Sequence, residues 1–100
     1  MPRPKKCRHI HCKPCISGFK PIGQPAHTLE KVILEMDEFE AIRLADLENL
    51  YHEEAAKQMG ISRPTFGNIL NNAHKKIADA LVNGKLLVIE GHEKETPWQE

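Results

Sequence analysis

A glycine set among apolar residues at helical offsets, between residues 51 and 72, restricts the fold of this chain more than any other feature. Two short helices that cross at a tight turn need small or apolar side chains where they touch. With His52 as the first position of a twenty-residue unit, those positions hold Ala55, Ala56, Met59, Ile61, Phe66 and Ile69. Gly60 then lies at the turn, where the backbone must tolerate a positive φ angle. The spacing predicts a helix-turn-helix.

The second helix of this unit is predicted to begin after Ser62, whose hydroxyl can cap it, and to run to about Val82. Pro64 falls in the first turn, where a missing N–H breaks no intrahelical bond. The apolar face predicted to be core comprises Phe66, Ile69, Leu70, Ala73, Ile77, Ala80 and Leu81. Asn83-Gly84 is predicted to end this helix.

An earlier helix is predicted from Asp37 onwards, with Glu40 completing a capping box. Its predicted buried stripe consists of Ala41, Leu44, Ala45 and Leu47, flanked by Phe39 and Ile42. The carboxylates expected to face water are Glu38, Glu40, Asp46 and Glu48.

Two short β-strands are predicted to flank the helices, one within residues 28–36 and one over residues 85–90. They would form a small sheet that ties the ends of the domain together, or pair across a dimer. The fold class is therefore mainly α: a three-helix helix-turn-helix domain over residues 28–91. An extended basic arm, residues 1–27, precedes it without regular elements, and a flexible acidic tail, residues 92–100, follows.

The arm contains a cluster of five thiol and imidazole side chains, namely Cys7, His9, His11, Cys12 and Cys15. The two-residue gap between Cys12 and Cys15 lets two thiolates hold one tetrahedral ion, and Cys7 with one histidine would complete the ligands. This predicts a zinc site, or an iron–sulfur centre if a further ligand comes from outside. Free reduced thiols and a redox-sensing pair are the alternatives.

The charges are segregated although the net charge is zero. Residues 1–29 carry six Lys or Arg and no Asp or Glu, whereas residues 30–56 carry two basic and nine acidic residues. Residues 57–85 carry five basic residues and one acidic residue. Because a polyanion responds to the local field, the two basic blocks favour nucleic acid as a partner.

The remaining composition excludes several classes. No apolar run reaches the roughly 20 residues of a membrane span, so no membrane partner is predicted. Three closely spaced cysteines suit a reducing compartment, and the predicted location is cytoplasmic. No Gly-rich phosphate loop, nucleophile beside a base, or spaced carboxylate pair is evident, and no enzymatic activity is predicted.

The second helix of a helix-turn-helix ordinarily enters the DNA major groove. The residues predicted to face double-stranded DNA are Ser62, Arg63, Thr65, Gly67, Asn68, Asn71, Asn72 and Lys75. Arginine pairs with guanine and asparagine with adenine, while threonine and lysine reach phosphates. His74 and Lys76 are further candidates for phosphate contacts.

Six segments together resemble one family: Met1–Pro4, Phe19–Pro25, Leu34–Asp46, Tyr51–Ala56, Met59–Arg63 and Thr65–Gly67. The chain looks like a small, uncharacterised prokaryotic family of predicted DNA-binding proteins, catalogued as a domain of unknown function. Its helical part is similar to region four of bacterial sigma factors. The resemblance implies a transcription-related, sequence-specific DNA binder, without naming a target or a catalytic residue.

Two functions therefore compete at the level of sequence. The first is a transcriptional regulator that binds DNA, expected to be a homodimer because one helix covers few base pairs. The second is a protein-interaction module, since sigma-like helices also dock on RNA polymerase or other proteins and a fold does not fix a function.

Overall fold

The computed structural model describes residues 17–91 and is mainly helical, with three helices and a small sheet. Strand β1 (Gly18–Phe19), a short 3-10 turn (Ala26–Thr28) and strand β2 (Lys31–Leu34) come first. Helix α1 (Met36–Ile42), a π-helical turn (Arg43–Leu47) and helix α2 (His52–Met59) follow. Helix α3 (Arg63–Asn83) and strand β3 (Leu86–Ile89) complete the described elements.

The sheet joins the two ends of the described segment. Its strand order is β1-β3-β2, with β1 antiparallel and β2 parallel to the central β3. A parallel pair needs a long crossover, and here all three helices lie between β2 and β3 in the chain. The two predicted strands are thus confirmed and pair within one chain. The expectation that residues 1–27 hold no regular element was wrong at Gly18–Phe19, because a two-residue strand has no periodicity of its own.

The helical core lies at the crossing of α1, α2 and α3. Ala41 of α1 and Leu44 of the π-helical turn pack there against Ala55, Ala56, Phe66 and Leu70. Small side chains on α2 let its backbone approach α3 closely, and Phe66, which is fully buried, fills the space between them. A second cluster, formed by Leu34, Ala73 and Ile89, joins the sheet to the middle of α3.

Helix α1 begins earlier than predicted, and its start is held by carboxylates. Glu35, not Asp37, is the N-cap, and its capping-box partner is Glu38. The Glu35 backbone N–H donates to Glu38 Oε1 at 2.8 Å, and the Met36 N–H donates to Glu90 Oε1 at 2.6 Å. The prediction that Glu38 faces water was wrong, since only 5% of its surface is exposed.

The end of α1 is wound as a π-helix, which changes the predicted buried stripe. The Glu48 N–H donates to the Arg43 carbonyl, five residues back, so one extra residue enters the turn and rotates the following side chains. Leu44 is buried as expected, but Leu47 is 72% exposed and does not belong to the core. The hydrogen bond from Arg43 to Glu40 raises the pKa of Arg43, against a smaller effect of burial.

Helix α2 ends just before Gly60, at the predicted turn, and α3 begins after Ser62 as predicted and ends one residue beyond Val82. A three-residue turn separates the two helices. Gly60 has φ 71° and ψ 30°, the left-handed conformation that ends α2, and the Ile61 N–H donates back to the Ala56 carbonyl at 3.0 Å. Gly84, also left-handed, ends α3. The prediction of Leu81 as core was wrong, because 78% of its surface is exposed.

Candidate nucleic-acid interface

The N-terminal half of α3 presents one polar face outwards. Phe66, Leu70 and Ala73 are buried on its inner side. The exposed residues are Ser62, Arg63, Thr65, Asn68, Asn71, Asn72 and Lys75, while Gly67 is half-buried. Residues 68, 71, 72 and 75 follow helical spacing, so their side chains form one continuous stripe. Asn68, Asn71, Asn72 and Lys75 therefore share one side of α3, whereas Ser62, Arg63 and Thr65 are exposed at its N-terminal end and Gly67 lies away from the stripe.

The first turn of α3 is fixed by two hydroxyl groups. Ser62 Oγ accepts a hydrogen bond from the Thr65 N–H at 3.2 Å and donates to Thr65 Oγ1 at 2.8 Å. The Thr65 hydroxyl is exposed, and whenever Ser62 donates to it, its own hydrogen can be donated to an external acceptor. A phosphate oxygen is an acceptor of the matching kind. Ser62 is thus both the helix cap and the group that orients Thr65.

The angle of α3 is set from behind by aromatic packing. The His52 and Phe66 rings meet edge to face, with centroids 5.2 Å apart and planes inclined by 65°. This contact joins the first turn of α2 to the first turns of α3. Sequence reasoning treated His52 only as the first position of the motif. His52 lies four residues before Ala56 and therefore on the same, inner face of α2, and this spacing could have predicted that its ring packs against α3.

Gly67 is not required by the packing of the protein itself. A Cβ atom built at this position has no heavy atom within 4 Å, and the residue lies within a regular helix. Glycine in a helix interior costs roughly 1 kcal/mol relative to alanine. Packing therefore gives no reason for the glycine, whereas the close approach of an external molecule would give one.

Two basic side chains near the face are engaged within the protein. Lys76 Nζ donates to Glu38 Oε1 at 2.8 Å and to the Ile33 carbonyl at 2.7 Å. His74 Nε2 lies 2.7 Å from Asp46 Oδ2. The suggestion that both reach phosphates is therefore weakened, because each contact to DNA would have to displace an internal one. Lys75, between them, is exposed and remains the candidate.

The five predicted metal ligands, Cys7, His9, His11, Cys12 and Cys15, lie outside the described residues. Within residues 17–91, no group of three His, Cys, Asp or Glu side chains is placed to hold a metal ion. Across the same residues, none of the helices combines the length and apolar character needed to cross a bilayer.

Comparison with known proteins identifies relatives of this chain. Residues 1–97 match the family described as protein of unknown function DUF134. A UPF0251 protein of Thermoanaerobacter pseudethanolicus is 55% identical over 91% of this chain and 77% of its own length. A UPF0251 protein of Vibrio vulnificus is 56% identical over 89% of both chains. One of Prosthecochloris aestuarii is 53% identical over 89% of this chain, which spans 57% of that relative. No solved structure matches.

Proposed function

The chain belongs to the DUF134 family, and we propose that it binds double-stranded DNA as a sequence-specific transcriptional regulator. In this proposal α2 and α3 form a helix-turn-helix, and the outer face of α3 enters the major groove. The names of the relatives indicate neither DNA nor any other ligand, so the proposal depends on the geometry of α3 and on the charge of the chain.

The observation that carries the proposal is the combination of a sharp turn and an exposed polar helix face. Gly60 ends α2 in a left-handed conformation, and Phe66, fully buried, anchors α3 from behind. In this proposal a helix held in this way presents the exposed side chains of its N-terminal half to the major groove.

The chemistry of the face matches the edges of base pairs. Arg63 can donate two hydrogen bonds to guanine, and Asn68 and Asn71 carry the amide that pairs with adenine. Thr65 and Lys75 supply donors for phosphates. Glu53 and Glu54, in the first turn of α2, would repel phosphates. In this docking the phosphates are therefore contacted by residues of α3 and not by the first turn of α2.

The direct test is selection of bound duplexes from random DNA, followed by fluorescence anisotropy on the selected sequence at several salt concentrations. Binding should weaken as salt rises, because counterions are released from the phosphates. Asn68→Ala should reduce affinity by about 5- to 150-fold on the selected duplex, corresponding to roughly 1–3 kcal/mol per base contact. Lys75→Met should weaken binding to all sequences alike and reduce the salt dependence.

Gln58→Ala is the matched control, since it removes an exposed amide from α2 and should leave affinity unchanged. The proposal fails if no duplex is enriched and bulk DNA is not retained even at low salt. It also fails if Asn68→Ala and Gln58→Ala bind equally well. Lys76, paired with Glu38, is unsuitable for charge reversal because the change would disturb the fold.

A protein partner is the second candidate, favoured by a different surface. Leu47 and Tyr51 are 72% and 86% exposed, and both lie in the strongly acidic segment of residues 30–56. Exposed apolar groups among carboxylates suit a basic protein surface. Retention of a partner by Arg63→Glu, with loss of DNA, would assign the two functions to separate faces. Loss of the partner with DNA binding intact after Leu47→Glu would do the same.

A further inference from the structure

Residues 17–91 are negatively charged overall, although they include the proposed DNA face. They contain eight Lys or Arg and eleven Asp or Glu, a net charge of −3. Residues 1–16 contain five Lys or Arg and no Asp or Glu, a net charge of +5. We propose, on the basis of the proposed function, that the basic side chains of residues 1–16 bind the phosphates of the duplex whose bases α3 reads.

Few cations within residues 17–91 are placed to bind phosphates near α3. Ion pairs of 3.0 Å or less already join three basic side chains to carboxylates: Arg43 to Glu40, Lys76 to Glu38, and Lys85 to Asp79. Arg63 is assigned to a base, which leaves Lys75 of α3 and Lys57 of α2, both exposed. One phosphate contact raises affinity about 8-fold between 1 M and 0.1 M salt, and two contacts about 60-fold. Most of the attraction to a duplex therefore has to come from another part of the chain.

The topology of the sheet places the entry of residues 1–16 beside the middle of α3. The Ile89 N–H donates to the Ser17 carbonyl at 2.9 Å, and Ile89 packs with Ala73 of α3. β1 then runs towards the C-terminal end of this helix, where Pro21 Cγ lies 3.8 Å from a Cβ atom built on Gly84. The chain therefore enters the fold level with Ala73, within one helical turn of the polar stripe of α3.

Residues 1–16 are long enough to reach phosphates along the proposed DNA face. An extended chain spans up to about 3.3 Å per residue, so Lys13 can lie up to about 13 Å from Ser17 and Lys5 up to about 40 Å. The eleven residues from Ser62 to Ala73 correspond to only about 16 Å of helix. Basic segments beside a recognition helix commonly contact DNA in this way. The side chains of residues 1–16 can therefore add phosphate contacts while α3 reads the bases.

The test compares two charge-matched double variants on the selected duplex, by fluorescence anisotropy over a range of salt concentrations. The first is Lys5→Gln with Lys6→Gln, and the control is Lys20→Gln with Lys31→Gln. Lys20 follows β1 and Lys31 begins β2, at the end of the sheet far from the entry of residues 1–16. Each variant lowers the net charge by two, so only the position of the lost charge differs.

The two variants should differ in how strongly binding depends on salt. The logarithm of the affinity falls with the logarithm of the salt concentration by about 0.9 for each phosphate contact. Lys5→Gln with Lys6→Gln should therefore reduce this slope by about 1.8 and weaken binding about 60-fold at 0.1 M salt. The loss should be equal on selected and unrelated duplexes, because phosphate contacts carry no sequence information. The control should keep the slope of the unmodified chain, and both variants should keep its far-UV circular dichroism spectrum.

The proposal is overturned if the unmodified chain binds the duplex but Lys5→Gln with Lys6→Gln leaves the slope unchanged, or if the control reduces the slope equally. An unchanged slope together with a lower free energy of unfolding in urea would show that these lysines pair with carboxylates of their own chain instead of with DNA. Failure of the proposed function gives a different result, because the unmodified chain then retains no duplex at any salt concentration.

Discussion

The pair of Lys76 and Glu38 should contribute strongly to stability, and Lys76→Met tests this. Glu38 is almost fully buried, and its Oε1 accepts from Lys76 Nζ at 2.8 Å and from the Glu35 N–H at 2.8 Å. The Lys76 ammonium also donates to the Ile33 carbonyl. One side chain of α3 thus holds the end of β2 and the start of α1 together.

Removal of one partner from a buried ion pair costs about 3–5 kcal/mol. The Lys76 side chain is 30% exposed, so solvent replaces part of the lost interaction. We therefore expect Lys76→Met to lower the free energy of unfolding by about 2–4 kcal/mol, because it leaves the Glu38 carboxylate buried without its cation. The assay is urea unfolding followed by circular dichroism at neutral pH.

Lys75→Met is the matched control, since the adjacent lysine is exposed and its loss should change stability by no more than about 0.5 kcal/mol. The double variant Lys76→Met with Glu38→Gln should be more stable than Lys76→Met alone, because glutamine removes the unpaired charge but still accepts from the Glu35 N–H. Equal unfolding curves for the two lysine variants, or a double variant less stable than Lys76→Met, would refute the reasoning.

Three further substitutions test the helix ends and the proposed DNA face. Gly67→Ala should raise the free energy of unfolding by about 0.5–1 kcal/mol, since the added Cβ meets no other atom. The same substitution should reduce DNA affinity, and an unchanged affinity would contradict a close approach of DNA to the α3 backbone at this position. Gly60→Ala should destabilise by about 1–2 kcal/mol in urea unfolding, because its φ of 71° strains an L residue. The hydrogen bond from Asn83, then that from Lys85, lowers the pKa of Asp79 below its usual 3.8. The ionised Asp79 carboxylate therefore stabilises the fold at neutral pH. The difference in urea midpoint between the unmodified chain and Asp79→Asn should shrink as pH falls below about 4, and a difference that does not depend on pH would contradict this stabilising role.

The bounds of α2 and α3 could be predicted because local chemistry determines them. Gly60 and Gly84 both adopt the left-handed conformation that ends a helix, and Ser62 provides the N-cap hydrogen bond. Phe66 is buried as its helical spacing indicates. Each of these signals acts within a few residues, so no knowledge of the tertiary structure was needed.

The start and end of α1 could not be predicted in the same way. Glu38 is buried because Lys76, which is 38 residues away, neutralises it, and nothing near Glu38 in the sequence indicates that partner. Leu47 is exposed because the π-helical turn inserts one residue, and ordinary helical periodicity does not anticipate such a turn. β1 exists because β3 offers hydrogen bonds to Gly18 and Phe19, so the tertiary structure determines the strand.

The placement of these long-range contacts explains how the orientation of α3 is fixed within the fold. Its inner face is fixed by Phe66 and Leu70 in the core and by Lys76 at the sheet. The outer face is therefore held rigidly over 21 residues, about 32 Å of helix. Asn68, Asn71, Asn72 and Lys75 are carried on this single continuous helix, so the spacing between their side chains does not depend on a flexible joint. If α3 binds DNA as proposed, this rigidity lets the four side chains meet a duplex without first being ordered.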